Sequence, residues 1–375
     1  MSYPLPKAFS LSILVILTFG LALSGRAVDE EKAEKKKLGS VIIPVVFYMP
    51  ETKWAFGAGG LLTYRPEQSA AQERPSSVGF YVIYTQLKQF STEFEPEIYL
   101  AHEKYMIKGL LTLEKFPDKF WGIGPDTPDE AEEDYTPRTY SIRMSFQKKL
   151  FPGKKIYAGA QYQFENFKIL KVGREVGKPP GILSRQAIAG SSGGAVSGLG
   201  GVLSWDSRDN IFFPTRGNYW QISGFVNKEF LGSDFDFASA GIDLRKYVPF
   251  FKNHVLGLQA LFESVSGSPP FHRYSDLGGD SIMRGYYSGR YRDKLLFACQ
   301  AEYRFPVWKR FGLVGFGGLG DVAPRLKDLD FSKLRYSLGW GIRYKVVPKE
   351  GTNLRLDFAY GKGTSGIYFT AGEAF

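Results

Sequence analysis

From Val41 to its last residue the chain alternates apolar and polar positions with a period of two. That is the spacing at which successive side chains of an extended strand point to opposite faces. Sixteen segments carry it: 41–48, 53–65, 77–88, 92–103, 106–115, 137–148, 155–167, 194–206, 216–228, 235–247, 253–264, 293–306, 310–322, 334–346, 352–361 and 365–375. In one of them Tyr336, Leu338, Trp340, Ile342 and Tyr344 share a face, while Arg335, Ser337, Gly339, Gly341 and Arg343 share the other. No helical period of useful length interrupts the series, so the pattern predicts an all-β chain with one domain over 40–375.

A soluble sandwich and a membrane barrel both alternate, and the contents of the two faces separate them. The apolar face is heavy in Tyr and Trp near strand ends, where lipid headgroups lie. The other face repeatedly carries Arg, Asp and Gln, as a polar lumen allows. The connections alternate too. Short turns at 104–105, 149–154, 248–252, 307–309 and 347–351 lie at one end, and long connections at 116–136, 168–193 and 265–292 at the other. Short periplasmic turns with long outer loops are the outer-membrane asymmetry. In hydrocarbon every backbone donor and acceptor needs a partner inside the protein, and a sheet meets that demand by closing on itself. The expectation is a transmembrane antiparallel β-barrel of 16 strands. Side chains alone would not fill its lumen, so something should plug or narrow it.

The N-terminus supports export. Lys7 precedes an apolar run from about Phe9 to Leu23, and Gly25-Arg26-Ala27 places small residues where a signal peptidase reads. Residues 1–27 read as a signal peptide, the alternative being a single membrane anchor. Residues 28–39, with Asp29-Glu30-Glu31-Lys32 through Lys37, read as a short periplasmic arm. Nothing later reaches the roughly 18 apolar residues of a transmembrane helix. Aromatics make up 16% of the chain, with 31 Phe and 22 Tyr, which suits barrel girdles. A single cysteine, Cys299, excludes a disulfide framework and has the phase of a lipid-facing residue. The net charge of +10 is spread over strand ends and turns rather than gathered on one face. It fits anionic lipid headgroups better than nucleic acid, which is not an expected partner.

Two connections stand out. Between the eighth and ninth segments lies Asp206-Ser207-Arg208-Asp209-Asn210-Ile211-Phe212-Phe213-Pro214-Thr215-Arg216-Gly217. Its Asp and Asn side chains can bind nearby amides, Pro214 fixes φ, and Gly217 tolerates a positive φ. A tight turn held by its own polar groups accounts for it without any further role. In the long connection before the twelfth segment, Met283-Arg284-Gly285-Tyr286 sets an arginine among glycines and bulky apolar residues. Such a setting suits a loop folded into the lumen, with Arg284 pairing bidentately with a carboxylate on the inner wall. Asp321 and Glu302 are the first candidates, then Asp357. Glycines Gly315, Gly317, Gly339 and Gly341, taken as inward, would make room for the loop.

On these residues the protein resembles the Omp85 superfamily, the bacterial surface antigen D15 or BamA/TamA-like barrels of Gram-negative outer membranes, over essentially the whole mature chain. The resemblance implies a sixteen-strand barrel and makes the Asp206, Arg208, Asp209, Pro214 and Gly217 turn a family motif. It implies that Met283-Arg284-Gly285-Tyr286 is the tip of the lumen loop. Leu319-Gly320-Asp321 matches the family's aromatic-x-Asp, with Leu for the aromatic. Phe375 fits a terminal assembly signal, whereas Glu373 departs from the apolar alternation usual there. Family members carry periplasmic receiving domains (POTRA). The short arm leads to the expectation of a barrel-only member, with a periplasmic partner supplying that function.

The function implied is assistance in the insertion or translocation of a client polypeptide, or of lipid, at the outer membrane. A seam between the first and last strands is its physical device. Pro44 cannot donate a ladder hydrogen bond, Gly366 and Gly372 pack little, and Phe375 ends the last strand. An opened seam would offer strand edges to a client, although a proline near a strand start also has a purely structural reading. The alternatives are a passive or gated solute pore, with Arg335, Arg343 and Arg355 favouring anions, and a structural surface antigen or anchor. Oligomeric state is left open. The expected cofactor, metal and catalytic sets are empty. His102, His254 and His272 are scattered, and Gly190-Ser191-Ser192-Gly193-Gly194 lacks the strand-to-helix context of a nucleophile elbow.

Overall fold

A computed structural model describes residues 38–49, 53–65, 73–347 and 352–375. The segments expected to be a signal peptide and most of the arm lie outside these residues. Leu38 and Gly39, assigned to the arm on sequence, belong to the first strand.

Sixteen long strands follow one another: β1 Leu38–Met49, β2 Lys53–Tyr64, β3 Ser76–Thr85, β4 Phe90–Leu100, β5 Tyr105–Lys115, β6 Glu133–Lys149, β7 Ile156–Gly173, β8 Gly193–Asp206, β9 Gly217–Asn227, β10 Phe237–Pro249, β11 Val255–Gly267, β12 Leu295–Trp308, β13 Phe311–Ala323, β14 Arg335–Val347, β15 Thr352–Gly361 and β16 Thr364–Ala371. Each pairs antiparallel with the next, from β1 with β2 to β15 with β16, in one main sheet. A three-residue strand, Asp118–Phe120, extends the sheet beside β6. Ser275–Leu277 and Tyr291–Asp293 form a separate small ribbon within the connection from β11 to β12. No helix among the described residues is long and apolar enough to cross a membrane, which says nothing of strands.

The two faces of the sheet are inverted relative to a soluble protein. The buried face carries Gln147, Gln161, Gln163, Glu165, Gln221, Asp243, Gln259, Gln300, Glu302 and Arg304. The exposed face carries Phe56, Phe94, Met144, Phe146, Tyr162, Ile222, Leu258, Leu338, Trp340 and Phe369. In water that arrangement would forfeit the burial of every outward apolar group. Cys299 lies on the face opposite the buried Ala298 and Gln300.

Two expectations need correction. The last strand stops at Ala371, not at Phe375. Gly372 takes φ +88° and turns the chain, so that Ala374 and Phe375 pack inside against Tyr247 and Val255. The inward face of β13 is also not the one carrying Gly315 and Gly317. Val314 and Phe316 are the buried residues, and Gly318 lies within 3.5 Å, at an added Cβ, of the Met283 sulfur. With five glycines in β13, hydrophobicity gives its two faces almost no contrast. Gly341 shares the buried face of β14 with Ser337 and Arg343, and Gly339 shares their phase.

Candidate functional site

The connection from β11 to β12 packs on the buried face of the main sheet. Its small ribbon and Phe271, Leu277, Met283 and Tyr286 are buried. Leu277, Met283 and Tyr286 cluster with Leu261, Leu296, Ala298 and Val322 of the inner wall. Met283 (φ +51°) and Gly285 (φ +106°) set a tight tip that points Arg284 at the wall. A Cβ on Gly285 would stand 2.9–3.0 Å from the backbone of Tyr360 and Gly361, so the tip rests directly on β15.

Arg284 is the centre of the site. Its Nη2 donates to Glu302 at 2.8 Å and its Nη1 to Asp357 at 2.5 Å. The guanidinium lies over the Phe316 ring, 3.4 Å from its centroid. Ser337 donates its hydroxyl to the Arg284 carbonyl. The Gly285 N–H donates to the Tyr368 hydroxyl at 2.8 Å, and Thr364 donates to the Gly285 carbonyl at 2.9 Å. Tyr286 donates to the Tyr336 carbonyl at 3.0 Å and accepts the Lys362 N–H at 2.9 Å. The loop tip is thereby stitched to β14, β15 and β16.

Around Arg284 every buried charge has an opposite neighbour. Glu302 also meets Arg304 at 2.8 Å and Arg343 at 3.6 Å. Asp357 meets Arg343 at 2.5 Å and Arg355 at 3.7 Å. Glu373 pairs with Arg343 at 2.8 Å, and Arg355 with Asp280 of the loop at 3.0 Å. Small residues leave the room: a Cβ on Gly339 would overlap the Phe316 ring, and one on Gly361 would stand 2.5 Å from Tyr286.

Sequence reasoning named Glu302 and Asp357, and these two are the residues the structure brings to Arg284. Asp321 is a correction. It pairs with Arg335, which also donates to the Pro125 carbonyl of the connection from β5 to β6. Near the C-terminal end of β13 it helps tie down that connection instead. The remaining contacts were not visible in the sequence. Phe316, Tyr368, Ser337 and the Glu373 pairing are set by register between strands that single-strand periodicity does not fix. The departure of Glu373 from apolar alternation was a usable signal, because it is the residue that turns inward to meet Arg343.

A second built region borders the central cavity at the turn from β8 to β9. Asp206 accepts Nε and Nη2 of Arg208, each at 2.9 Å, and Arg208 stacks over Tyr219 at 4.6 Å. Asp209 accepts the Thr215 N–H at 2.9 Å, and Gly217 takes φ +103°. Arg74, from the connection between β2 and β3, reaches Asp206 at 3.0 Å. No local signal marked Arg74, since a lone loop arginine has no pattern. The turn reaches beyond its own polar bonds: Ile211, Phe212 and Pro214 line the central cavity.

That cavity has a volume of about 2560 Å³ and is bounded by β1 to β5 on one side and the loop and β14 to β16 on another. Glu93, Glu95 and Glu97 of β4 and Glu114 of β5 line it, with Lys108 3.2 Å from Glu97. The arginines expected to make a pore anion-selective, Arg335, Arg343 and Arg355, are each paired with a carboxylate. Their charge is already met, which removes that expectation.

At the seam, β1 has a residue register only with β2 and β16 only with β15 among the described residues. Pro44 sits in mid-strand opposite Ala58, not near the strand start, which is tolerable on an edge. Gly366 makes room for Tyr368, whose hydroxyl would lie 2.5 Å from an added Cβ. Gly372 and Phe375 have left the strand and take no part in an edge. No group of three or more His, Cys, Asp or Glu side chains suited to a metal occurs among the described residues.

A family model described as the Omp85 superfamily domain matches residues 108–375. Among solved structures, BamA from Haemophilus ducreyi lacking POTRA domains 1-3 superposes with a TM-score of 0.54 at 16% identity, covering 89% of this chain and 70% of that one. Two weaker likenesses are OccK10 (OpdN) of Pseudomonas aeruginosa, with a TM-score of 0.32 at 9% identity over 89% and 95% of the two chains, and Wzi of Escherichia coli, with a TM-score of 0.30 at 10% identity over 90% and 81%. No curated protein sequence matches.

Proposed function

The chain belongs to the Omp85 superfamily, a family of non-catalytic channels and insertases, and from that premise we propose that it is an outer-membrane β-barrel that assists insertion or translocation of client polypeptides. The family is consistent with a role in outer-membrane protein biogenesis. The observation that carries the reading is the inverted sheet, polar within and apolar without, whose first and last strands line one cavity without a register between them. Closed in hydrocarbon, such a sheet keeps all its edges paired except one. Opening at β1 and β16 offers those edges to a client strand by β-augmentation. The Arg284 lock keeps the loop inside as a plug, and the turn carrying Asp206, Arg208, Asp209, Pro214 and Gly217 narrows the periplasmic mouth. Lipid surrounds the barrel, and a periplasmic partner that delivers clients belongs to the same reading.

The test is depletion followed by comparison of the outer-membrane proteome with wild type. Loss of particular barrels, restored by the wild-type chain but not by one whose β1 and β16 are cross-linked through introduced cysteines in a Cys299→Ser background, is the expected result. An unchanged proteome overturns it. The cavity favours a second reading, a gated pore. A steady conductance in planar bilayers, with solute uptake altered and the proteome intact, selects that reading.

A further inference from the structure

We propose that the short-hairpin rim binds anionic glycerophospholipid headgroups through a collar formed by three hairpins. This rests on the outer-membrane reading and adds a ligand to it. The hairpin from β6 to β7 exposes Leu150 and Phe151 beside Lys148 and Lys154. The hairpin from β10 to β11 exposes Phe250 and Phe251 (65% accessible) beside Lys246 and Lys252. The hairpin from β12 to β13 exposes Val307, Trp308 (60% accessible) and Phe311 beside Lys309 and Arg310.

The stretches 148–155, 246–254 and 307–311 contain no acidic residue. None of the six exposed cations makes an ion pair among the described residues, whereas Lys149 and Lys155, set further in, lie 3.8 and 3.6 Å from Glu103. Lys309 rests over the Trp308 ring at 4.7 Å. The opposite rim has another character: Lys228 near the exposed Phe230 and Lys333 near the exposed Phe331 are paired with Asp236 at 2.8 Å and Asp330 at 3.1 Å, and the connection from β5 to β6 carries Asp118, Asp126, Asp129, Glu130 and Glu132 against Lys119 alone.

An exposed aromatic next to an unpaired ammonium or guanidinium fits one environment closely. The ring settles among glycerol and carbonyl groups while the cation reaches the phosphate layer. A zwitterionic headgroup returns no net charge to that cation, whereas a phosphatidylglycerol headgroup does. The collar is also one-sided. The intervening turn 207–216 points into the cavity, and the hairpin from β4 to β5 carries the acidic Glu103 and one half-buried ring, Tyr105 under Lys104 at 5.6 Å, in place of exposed aromatics. Among the described hairpins, lipid would therefore grip the wall from β6 to β13 more firmly than β4 and β5.

Quenching of Trp308 emission, taken as the difference between wild type and Trp308→Phe, reports on this rim directly. The full chain is reconstituted in vesicles containing brominated phosphatidylglycerol or brominated phosphatidylcholine. The expected relative affinity is about five-fold or more in favour of the anionic lipid at low salt. It falls to near one in Lys309→Gln/Arg310→Gln and in 1 M salt. Lys327→Gln/Lys333→Gln, on the opposite rim, keeps the wild-type ratio. A wild-type ratio near one overturns the proposal, as does a ratio unmoved in the first variant or equally lowered in the second. Loss of cross-linking to a periplasmic protein in Lys309→Gln/Arg310→Gln, with a lipid ratio near one throughout, would assign the collar to a protein and overturn it too. Failure of the chain to insert into pure phosphatidylcholine vesicles would instead sink the barrel reading itself.

Discussion

The wall from β12 to β16 and the wall from β1 to β5 are built on the same alternation, yet they end in opposite states. On the first, Arg284, Arg304, Arg343 and Arg355 meet Glu302, Asp357, Glu373 and Asp280 in a packed network under the loop. On the second, Glu93, Glu95 and Glu114 face the open cavity. Periodicity writes polar residues toward the interior in both cases. A third element, the loop, decides whether those residues become a lock or a lining. The largest test of that contrast is Arg284→Ala. It leaves Glu302 and Asp357 buried without their central cation, and breaking such a pair costs about 3–5 kcal/mol. The midpoint of urea unfolding from bilayers should fall accordingly, and the loop should become sensitive to protease. Arg284→Met combined with Asp357→Asn should lose less than Arg284→Ala alone, because Arg304, Arg343 and Arg355 are then matched one to one by Glu302, Glu373 and Asp280. On the open wall, Glu95→Gln should shift the midpoint by no more than roughly 0.5 kcal/mol. Equal losses at the two sites would erase the distinction.

Glycines sharpen the same comparison at smaller scale. A Cβ at Gly339 would overlap the Phe316 ring beneath Arg284, whereas one at Gly79 in β3 meets only the Glu95 Cβ, at an ordinary 3.7 Å. Gly339→Ala should therefore cost about 1–3 kcal/mol by overpacking. Gly79→Ala should be neutral or slightly stabilising, since alanine loses less backbone entropy on folding. Both are read from unfolding midpoints, and loop release in Gly339→Ala should show as added protease cleavage near Met283.

The strand pattern and the long and short connections could be read in the sequence because a period of two is local. So could Arg284 with Glu302 and Asp357 among three candidates, since Gly285, the bulky apolar neighbours and inward phase narrowed the choice without excluding Asp321. What escaped was whatever depends on register or on a chain reversal. Phe316 was hidden because β13 alternates glycine on both faces. Asp321 has a carboxylate in a plausible place, but it lies at the strand end, within reach of Arg335 rather than of the loop tip. The inward turn at Gly372 was signalled only by Glu373, while Phe369 and Ala371 before it and Phe375 after it resemble a continuing strand.

The smallest expected effect lies where the loop leaves the locked wall. His272 is buried against Phe167, with ring centroids 4.3 Å apart, and its Nε2 lies 2.5 Å from Glu165. Arg273 reaches the same carboxylate at 2.7 Å, and Arg292 donates to the His272 carbonyl at 3.3 Å. Burial holds the imidazole below its ordinary value; Glu165 opposes that shift, and Arg273 and Arg292 add to it. The folded chain then resists a proton that the unfolded chain accepts, so the unfolded state binds more protons as pH drops below about 6.5. Stability is complete above that value and declines as pH falls toward the depressed folded one. Unfolding midpoints at pH 8, 6.5 and 5 should show a slope in wild type that is reduced in His272→Gln. Arg284→Ala should keep the slope while lowering every point, because the two anchors hold different stretches of the same loop. Parallel slopes in wild type and His272→Gln would show that the charge pairs of the locked wall, and not this histidine, set the response to acid.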